Sequence, residues 1–463
     1  MVLDLRIYNT LTRSKEKFKP LESGKIKFYQ CGPTVYWTQH IGNMRAVVCA
    51  DFIIRTLKYL DYDVKFVRNY TDVGHLTSDE DEGEDKMEKA ARREKLSPQE
   101  IAEKYIKIYE NDTRELNIIE PSVKPKASEH IQEMIEIIQV LMDKEYAYKT
   151  DLAVYFDVSA AKDYTKLSKQ ILEETVVGAG KGEVADAEKR NPADFALWFF
   201  RKGKHEKALQ YWLSPWGDGF PGWHIECSAM AKKYLGATMD IHMGGVEHIS
   251  IHHTNEIAQS ESANNAPLAN YWIHNEHLAV DGRKMAKSEG TGYSLEEIKA
   301  KKFSPLDLRY FFTQAHYRSK QNFTWEAMES ARNGLKHLYN QIKNLGDESG
   351  NINEEYNNKF IEKISDDFNI PQAFATAQEL LKADLPDKDK LATILDFDKV
   401  LGLKLVDALA TAEAPKEVVE LAEEREKYRQ EKNWEKSDEL RAKIRGFDYE
   451  IEDAEKGYIL KKI

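Results

Sequence analysis

Three consecutive segments near the start of the chain leave few folds open. Lys25–Tyr29 (KIKFY) alternates polar and apolar positions, as a strand does. Ile41–Leu60 spaces Val47, Val48, Phe52, Ile53, Leu57 and Leu60 as a helix does, and Tyr62–Asp72 (YDVKFVRNYTD) returns to short-strand character. A strand, a crossover helix and a second strand form a parallel pair, and the crossover is nearly always right-handed. Parallel sheets bind their ligands beyond the carboxyl ends of the strands. The segment Cys31–Asn43 (CGPTVYWTQHIGN) is therefore expected at a binding site.

The rest of the chain surrounds this unit. At 463 residues, 41% of them hydrophobic, it exceeds a single ordinary core. No run approaches the ~20 apolar residues that span a bilayer, and MVLDLRIYNTLTRSKEKF lacks the apolar core of a signal peptide. A soluble, cytoplasmic protein is expected. The three cysteines, Cys31, Cys49 and Cys227, are too sparse for a disulfide framework. A net charge of −12 does not advertise a nucleic-acid partner, although a local basic patch could still serve one.

The acidic stretch Ser78–Lys95 reads as a solvated loop running into a helix, and Ser97–Glu100 (SPQE) is a capping box with Pro98 at the first helical position. Between about 120 and 210 the pattern changes to helices, a short strand (LAVYFDV) and a Gly-rich run (VVGAGKGEV), as an insertion would. Alternation returns at Met239–Gly245, followed by a helix through Ile251–Ala263. Beyond Asn322 the pattern is helical up to the short final segment from Tyr449.

Four side chains could bind a metal. His252 and Glu256, four apart in a helical pattern, share one face; Cys31 ends a strand, and Cys227 lies in PGWHIECSAM. Thiolate, imidazole and carboxylate together suit zinc. A lone buried cysteine is, however, more often a small core residue, as Cys49 in the apolar helix should be. His40, Gly42 and Asn43 open a helix after a strand, where unpaired N–H groups suit phosphate, but an ordinary turn would read the same way. Lys284 and Lys287, in DGRKMAKSEGTG, could close over a polyphosphate or simply sit on a solvated loop.

Taken together these segments resemble the class I aminoacyl-tRNA synthetases, and among them the cysteinyl-tRNA synthetase family. CGPTVYWTQHIGN is similar to the family's cysteine-plus-HIGH segment, SPWGDGFPGWHIECSAM and IHHTNEIAQS to its two zinc segments, and KMAKS to its KMSKS loop. QNFTWE, DDFNIPQA and EKNWEKSDELRAKIRGFDYEIED resemble its later segments. The resemblance implies an α/β fold: a Rossmann-like parallel-sheet catalytic domain (1–118 and 208–276) with a connective insertion (119–207). A stem-contact region with the KMAKS loop (277–318), a helical bundle (319–410) and a small anticodon-binding domain (411–463) would follow.

The same resemblance implies ATP-dependent joining of L-cysteine to tRNA through an adenylate. Zinc on Cys31, Cys227, His252 and Glu256 would take the substrate sulfur, with Mg²⁺ accompanying ATP. Gly32, Thr71 and Trp223 would line the amino acid, and Gly244, Gly245 and Glu247 the adenosine. His40, Gly42, Asn43, Lys284 and Lys287 would handle the phosphates. Arg429, Trp434 and Arg441 are the candidate tRNA contacts, with core packing the expected role of Trp434, and a monomer is implied. Three positions depart from the family: Asn43 for the second HIGH histidine, Ala286 for the loop serine, and Glu247 where aspartate is commoner. Four protein ligands also exceed the three usual for a catalytic zinc. A related ligase that joins cysteine to an amino sugar shares the core, but the helical region past Asn322 and the tail favour tRNA.

Overall fold

The computed structural model describes residues 4–74, 85–170, 186–284, 291–409, 415–447, 449–453 and 457–462. Two compact units divide the chain, one ending at Lys404 and the other spanning Leu405–Ile463. The first is built on four parallel strands: β1 (Lys25–Gln30), β2 (Asp63–Arg68), β3 (Met239–Gly245) and β4 (Ala269–Asn275). Their order is β4–β3–β1–β2. All seven residues of β3 are buried, as expected of a parallel strand covered on both faces.

Helix α1 (Ile41–Tyr59) carries the chain from β1 to β2, as the periodicity predicts. Helix α2 (Trp223–Leu235) precedes β3, and α3 (His252–Asn264) links β3 to β4. From β1 the chain moves outward to β2, and from β3 it moves the opposite way to β4. The crevice between β1 and β3 is thus the switch point of the sheet, and both strands deliver their carboxyl ends to it. Cys31 N donates to Met243 O there at 3.1 Å.

Residues inserted between β2 and α2 form an antiparallel sheet from Ala147–Lys149, Ala153–Phe156, Phe195–Phe200 and Gly219–Pro221. The last of these lies beyond the boundary at 207 drawn from sequence. Its backbone pairs with Phe195–Phe200 (Phe199 opposite Phe220), so the insertion's sheet continues to the residue before Gly222. That edge strand feeds straight into Trp223, the first residue of α2. Phe156, Phe195 and Trp198 share one core with Ile225, Met230, Ala258 and Trp272, which seats α2 and α3 against the insertion. The capping box at Ser97 is present, with both hydrogen bonds formed. Of the acidic stretch, 75–84 lies outside the described residues; Asp85 caps the helix Lys86–Glu94 by accepting from Met87 N and Glu88 N. The Gly-rich run at 176–184 lies outside them as well.

Helices Trp325–Asn344, Glu354–Ser365, Ile370–Lys382 and Asp387–Leu401 follow. A buried ion pair ties α1 to this region. Asp51 Oδ2 lies 2.6 Å from both Arg309 Nη2 and Arg55 Nε, while Arg309 also donates to Leu401 O (2.8 Å) and Leu116 O (3.0 Å). Burial pushes the Asp51 carboxyl up, but the two guanidiniums outweigh it and hold it below the usual carboxylate range. No helix among the described residues is long and apolar enough to cross a membrane.

The second unit pairs helices Lys416–Gln430 and Trp434–Gly446 with the antiparallel strands Tyr449–Asp453 and Tyr458–Lys462. Val418, Ala422, Ile444, Tyr449 and Ile451 form its core. Trp434 does not join them and is 59% exposed, against the expectation of core packing. As the first residue of its helix it precedes the inward positions Ser437, Leu440 and Ile444, spaced three and four apart.

Replacing Arg309 by alanine strands the Asp51 carboxylate in a dry interior beside Arg55 alone. Such a break is expected to lower stability by about 3–5 kcal/mol, measured by denaturant unfolding at neutral pH. Because the folded Asp51 is held low, its contribution is present above the unfolded carboxylate range and is lost as pH falls through the folded value.

Candidate active site

The carboxyl ends of β1 and β3 open into a cavity of about 350 Å³. Its walls include Cys31, Gly32, His40, Asn43, Thr71, Trp223, Cys227, Gly244, Gly245, Glu247 and His252. Most residues singled out from sequence are therefore gathered in one place. Gly42 lies in the first turn of α1 but not on the wall. Lys284 ends the short strand Arg283–Lys284, and its side chain, like all of Ala286 and Lys287, lies outside the described residues. Arg429, Trp434 and Arg441 belong to the second unit.

Cys31, Cys227, His252 and Glu256 each offer one ligand atom, and the four atoms lie within 4.8 Å of one another. One strand end, that of β1, and two helices, α2 and α3, supply them. The i, i+4 spacing on α3 puts His252 Nε2 3.0 Å from Glu256 Oε1. Soft thiolates with an imidazole and a carboxylate are a donor set that fits zinc. A second grouping, Cys31, His242, His253 and Glu256, is equally close. Neither His242 nor His253 reaches the cavity wall, whereas Cys31, Cys227 and His252 do, so the first set is the one open to a substrate.

Charge in this pocket is arranged for a cation. Burial opposes ionisation of Glu256, yet His242 Nε2 (3.0 Å from Oε2) and His252 overcome it and hold the carboxyl far below its usual range. A hydrogen bond from Cys31 and the nearby His252 bring the Cys227 thiol down to about 6 against burial, whereas burial and Cys227 push Cys31 up. Burial likewise disfavours protonated His252, but Glu256 and Cys227 prevail and lift it to about 10.

Behind the four donors stands a layer of imidazoles that sequence reasoning did not single out. His253 Nε2 lies 3.4 Å from Cys31 Sγ, and its Nδ1 meets His274 Nε2 at 2.7 Å; His274 Nδ1 in turn meets Thr10 Oγ1 at 2.8 Å. Burial pushes His253 and His274 well below the ordinary imidazole range, so both are neutral. The available signal was His242 within a wholly buried strand and the doubled histidine at 252–253. Asn69, Lys86 and Tyr109 are further wall residues that went unnoticed.

The amino end of α1 faces the same cavity. His40 is its N-cap, and Nδ1 accepts from Asn43 N at 3.2 Å, which leaves the ring proton on Nε2. Ile41 N donates to Tyr293 O, so the chain just past the KMAKS segment returns to this helix start. Trp223 stacks on His252 with centroids 4.1 Å apart, roofing the donor cluster. Gly32 N donates to Asn69 Oδ1 (2.8 Å), and a Cβ at Gly32 would collide with the Asn69 carbonyl. The close approach of the two strand ends thus requires glycine.

Comparison with known proteins shows a family for the chain. The family described as tRNA synthetases class I (C) catalytic domain matches residues 17–333. A protein of Treponema denticola named Cysteine–tRNA ligase is 43% identical, covering 97% of this chain and 98% of its own. Cysteine–tRNA ligase 1 of Burkholderia lata is 42% identical over 98% of this chain and 96% of its own. Among solved structures, the LeuRS of Agrobacterium radiobacter K84 in ternary complex with tRNA and LeuAMS superposes with a TM-score of 0.61. Its identity is 10%, over 86% of this chain and 87% of that one. Mycobacterium tuberculosis methionyl-tRNA synthetase bound by methionyl-adenylate gives 0.53 at 14% identity, over 85% and 92%. These two share the fold.

Cys227→Ala and Glu256→Gln should each deplete the purified protein of tightly held divalent metal, read by plasma mass spectrometry. Cys49→Ala, in the core of α1, should leave the metal content unchanged.

Proposed function

The chain belongs to the class I tRNA synthetases, in the family of the cysteine–tRNA ligases, and on that premise we propose that it attaches L-cysteine to tRNA using ATP. The reaction runs through a cysteinyl-adenylate, and Cys31, Cys227, His252 and Glu256 would hold a zinc ion whose affinity for sulfur would favour cysteine over serine. One observation carries this reading: the thiolate-rich donor cluster and the amino end of α1 open into the same cavity. Zinc held there supplies a soft Lewis acid that takes sulfur as thiolate, which an alcohol oxygen cannot match.

The chain's own groups set up the two transfers. Thr71 and Trp223 flank the donor cluster and orient the substrate amine. The substrate carboxylate attacks the α-phosphorus of ATP, and pyrophosphate leaves. His40, donating from Nε2, and Asn43, donating from its amide, hydrogen-bond the transferring phosphate beside the positive end of the α1 dipole. Gly244, Gly245 and Glu247 shape the adenosine side, and Lys284 and Lys287 neutralise the departing pyrophosphate, which Mg²⁺ accompanies. A ribose hydroxyl at the tRNA 3′ end then attacks the acyl carbon, and AMP leaves. Positioning and fixed dipoles do most of the work, since the acyl group is already activated. Discrimination by metal also removes the need for an editing site, which near-isosteres otherwise impose. Three free cysteines suit the reducing cytoplasm, where we place the protein as a monomer.

In the second unit Arg429 is already held by Asp453 (2.9 Å) and Glu426 (3.3 Å), whereas Arg441 reaches Asp453 only at 3.8 Å. Arg441 and the exposed Trp434 are thus the better candidates for tRNA, as a phosphate contact and a stacking surface.

ATP–pyrophosphate exchange should depend on cysteine, fail with serine, and disappear after a zinc chelator; exchange that survives complete metal removal refutes the selection mechanism. His40→Ala should lower the exchange rate by about 10²–10³-fold. Arg441→Ala should raise the KM for tRNA while leaving exchange unaltered, and unchanged tRNA kinetics would withdraw its assignment.

A further inference from the structure

A second cavity, of about 120 Å³, lies behind the wall of the first. It is framed by the end of β2, by one face of the helix Pro98–Glu115 (Tyr109, Glu110, Thr113, Arg114) and by the segment 118–124. Three cations line it, Arg68, Arg114 and Lys124, against two carboxylates, Glu110 and Glu120. Both carboxylates are engaged: Lys124 Nζ lies 2.6 Å from Glu110 and 2.5 Å from Glu120, and Tyr70 Oη donates to Glu110 at 3.1 Å.

Arg68 is different. Only 2% of it is exposed, and among the described residues no carboxylate pairs with it. Its Nε donates to Gln30 Oε1 at 2.8 Å, and its guanidinium lies 4.9 Å from the Phe66 ring centroid, but Nη2 is buried without a hydrogen-bond partner. Tyr109, 4% exposed, has its hydroxyl buried against the Arg68 guanidinium, with no acceptor for its own proton. Burial pushes the Tyr109 phenol up, so at neutral pH it carries a proton to donate. A guanidinium is always charged, and a buried charge with no counter-charge is strongly unfavourable. A buried cationic donor and, beside it, a phenol proton with no acceptor therefore border a cavity with a basic rim. Waters fit such a space, but they do not answer the charge.

We propose that this cavity is a binding site for a small tetrahedral oxyanion, inorganic phosphate being the commonest in cells, held by Arg68 and Tyr109 with Arg114 at the mouth. The guanidinium fork matches two oxygens of such an ion. The space is well below that of a pocket that encloses a nucleotide-sized ligand, which points to the free ion. The site touches the reaction cavity without being part of it. Tyr109 lines both, and Gln30, the acceptor of Arg68 Nε, lines the reaction cavity. Nothing in the proposal depends on which amino acid the enzyme activates.

The test is calorimetric titration of the full-length, metal-loaded protein with inorganic phosphate, together with crystals soaked in selenate, whose anomalous signal locates the ion. The expected result is a selenium peak between Arg68 and Tyr109, and phosphate binding weakened about tenfold or more by Arg68→Gln. Tyr109→Phe and the exposed Arg114→Ala, which leave the fold intact, should each weaken it by a smaller factor. His40→Ala, confined to the reaction cavity, should leave that affinity unchanged. AMP serves as the second arm, and should bind independently of Arg68 and Arg114. The proposal is overturned if phosphate does not bind in solution, if binding is lost in His40→Ala but kept in Tyr109→Phe and Arg114→Ala, or if the selenium peak lies elsewhere.

Discussion

A single buried carboxylate organises the centre of this molecule. Glu256 is wholly enclosed, with one oxygen 3.0 Å from His242 and the other 3.0 Å from His252. An ion in a dry interior needs compensation from close partners, because bulk water cannot supply it. Here the partners come from β3 and from the previous turn of α3. The carboxylate therefore ties the central strand to the helix that follows it, and faces the other candidate metal donors. Cys31 and Cys227 add sulfur to the same point from β1 and α2. Four elements converge there: β1 and β3 are held by a ladder that runs up to the donors, Tyr29 opposite His242 and Gln30 opposite Met243, and α2 and α3 pack on the insertion's core.

This convergence separates what could be read in the chain from what could not. Strand–helix–strand order from Lys25 to Arg68, the capping box at Ser97 and the strand Met239–Gly245 all follow local periodicity or local side-chain chemistry, and all are present. Partnership over long separations left no such trace. Cys31 and Glu256 are 225 residues apart, and only the likeness to a family joined them. The histidines behind the donors escaped notice because periodicity reports that a position is buried, not that its neighbours are also imidazoles. Gly219–Pro221 was misplaced for a related reason. Three residues carry too little pattern to show which sheet they extend, and the pairing with Phe195–Phe200 decides it. Trp434 shows the converse, since a large aromatic reads as core by composition alone while its place at a helix start leaves it outside.

Helix α1 joins catalysis to the rest of the first unit. Its amino end supplies His40 and the N–H groups that face the reaction cavity, while its third turn carries Asp51. Asp51 is gripped by Arg309, which also holds the carbonyl of Leu401 at the end of the last bundle helix. Arg55 repeats the arrangement one turn later, reaching Lys399 O at 3.2 Å. The rod that carries His40 and the candidate phosphate-binding end is thereby anchored to the helical region through Asp51, Arg309 and Arg55.

The same helix explains why the change from the family's second HIGH histidine to Asn43 is compatible with the site. The cap at this helix start runs from the backbone N–H of Asn43 to Nδ1 of His40, so it makes no use of the side chain at position 43. An amide there leaves the cap, the tautomer of His40 and the orientation of its Nε2 proton as they are. What it removes is a second group able to carry positive charge beside the phosphate. In the proposed reaction, the dipole of a helix 19 residues long and the His40 donor would act on that same phosphate chain. The Asn43 amide can still donate a hydrogen bond, so in the proposed reaction the substitution would cost a charge without costing a donor.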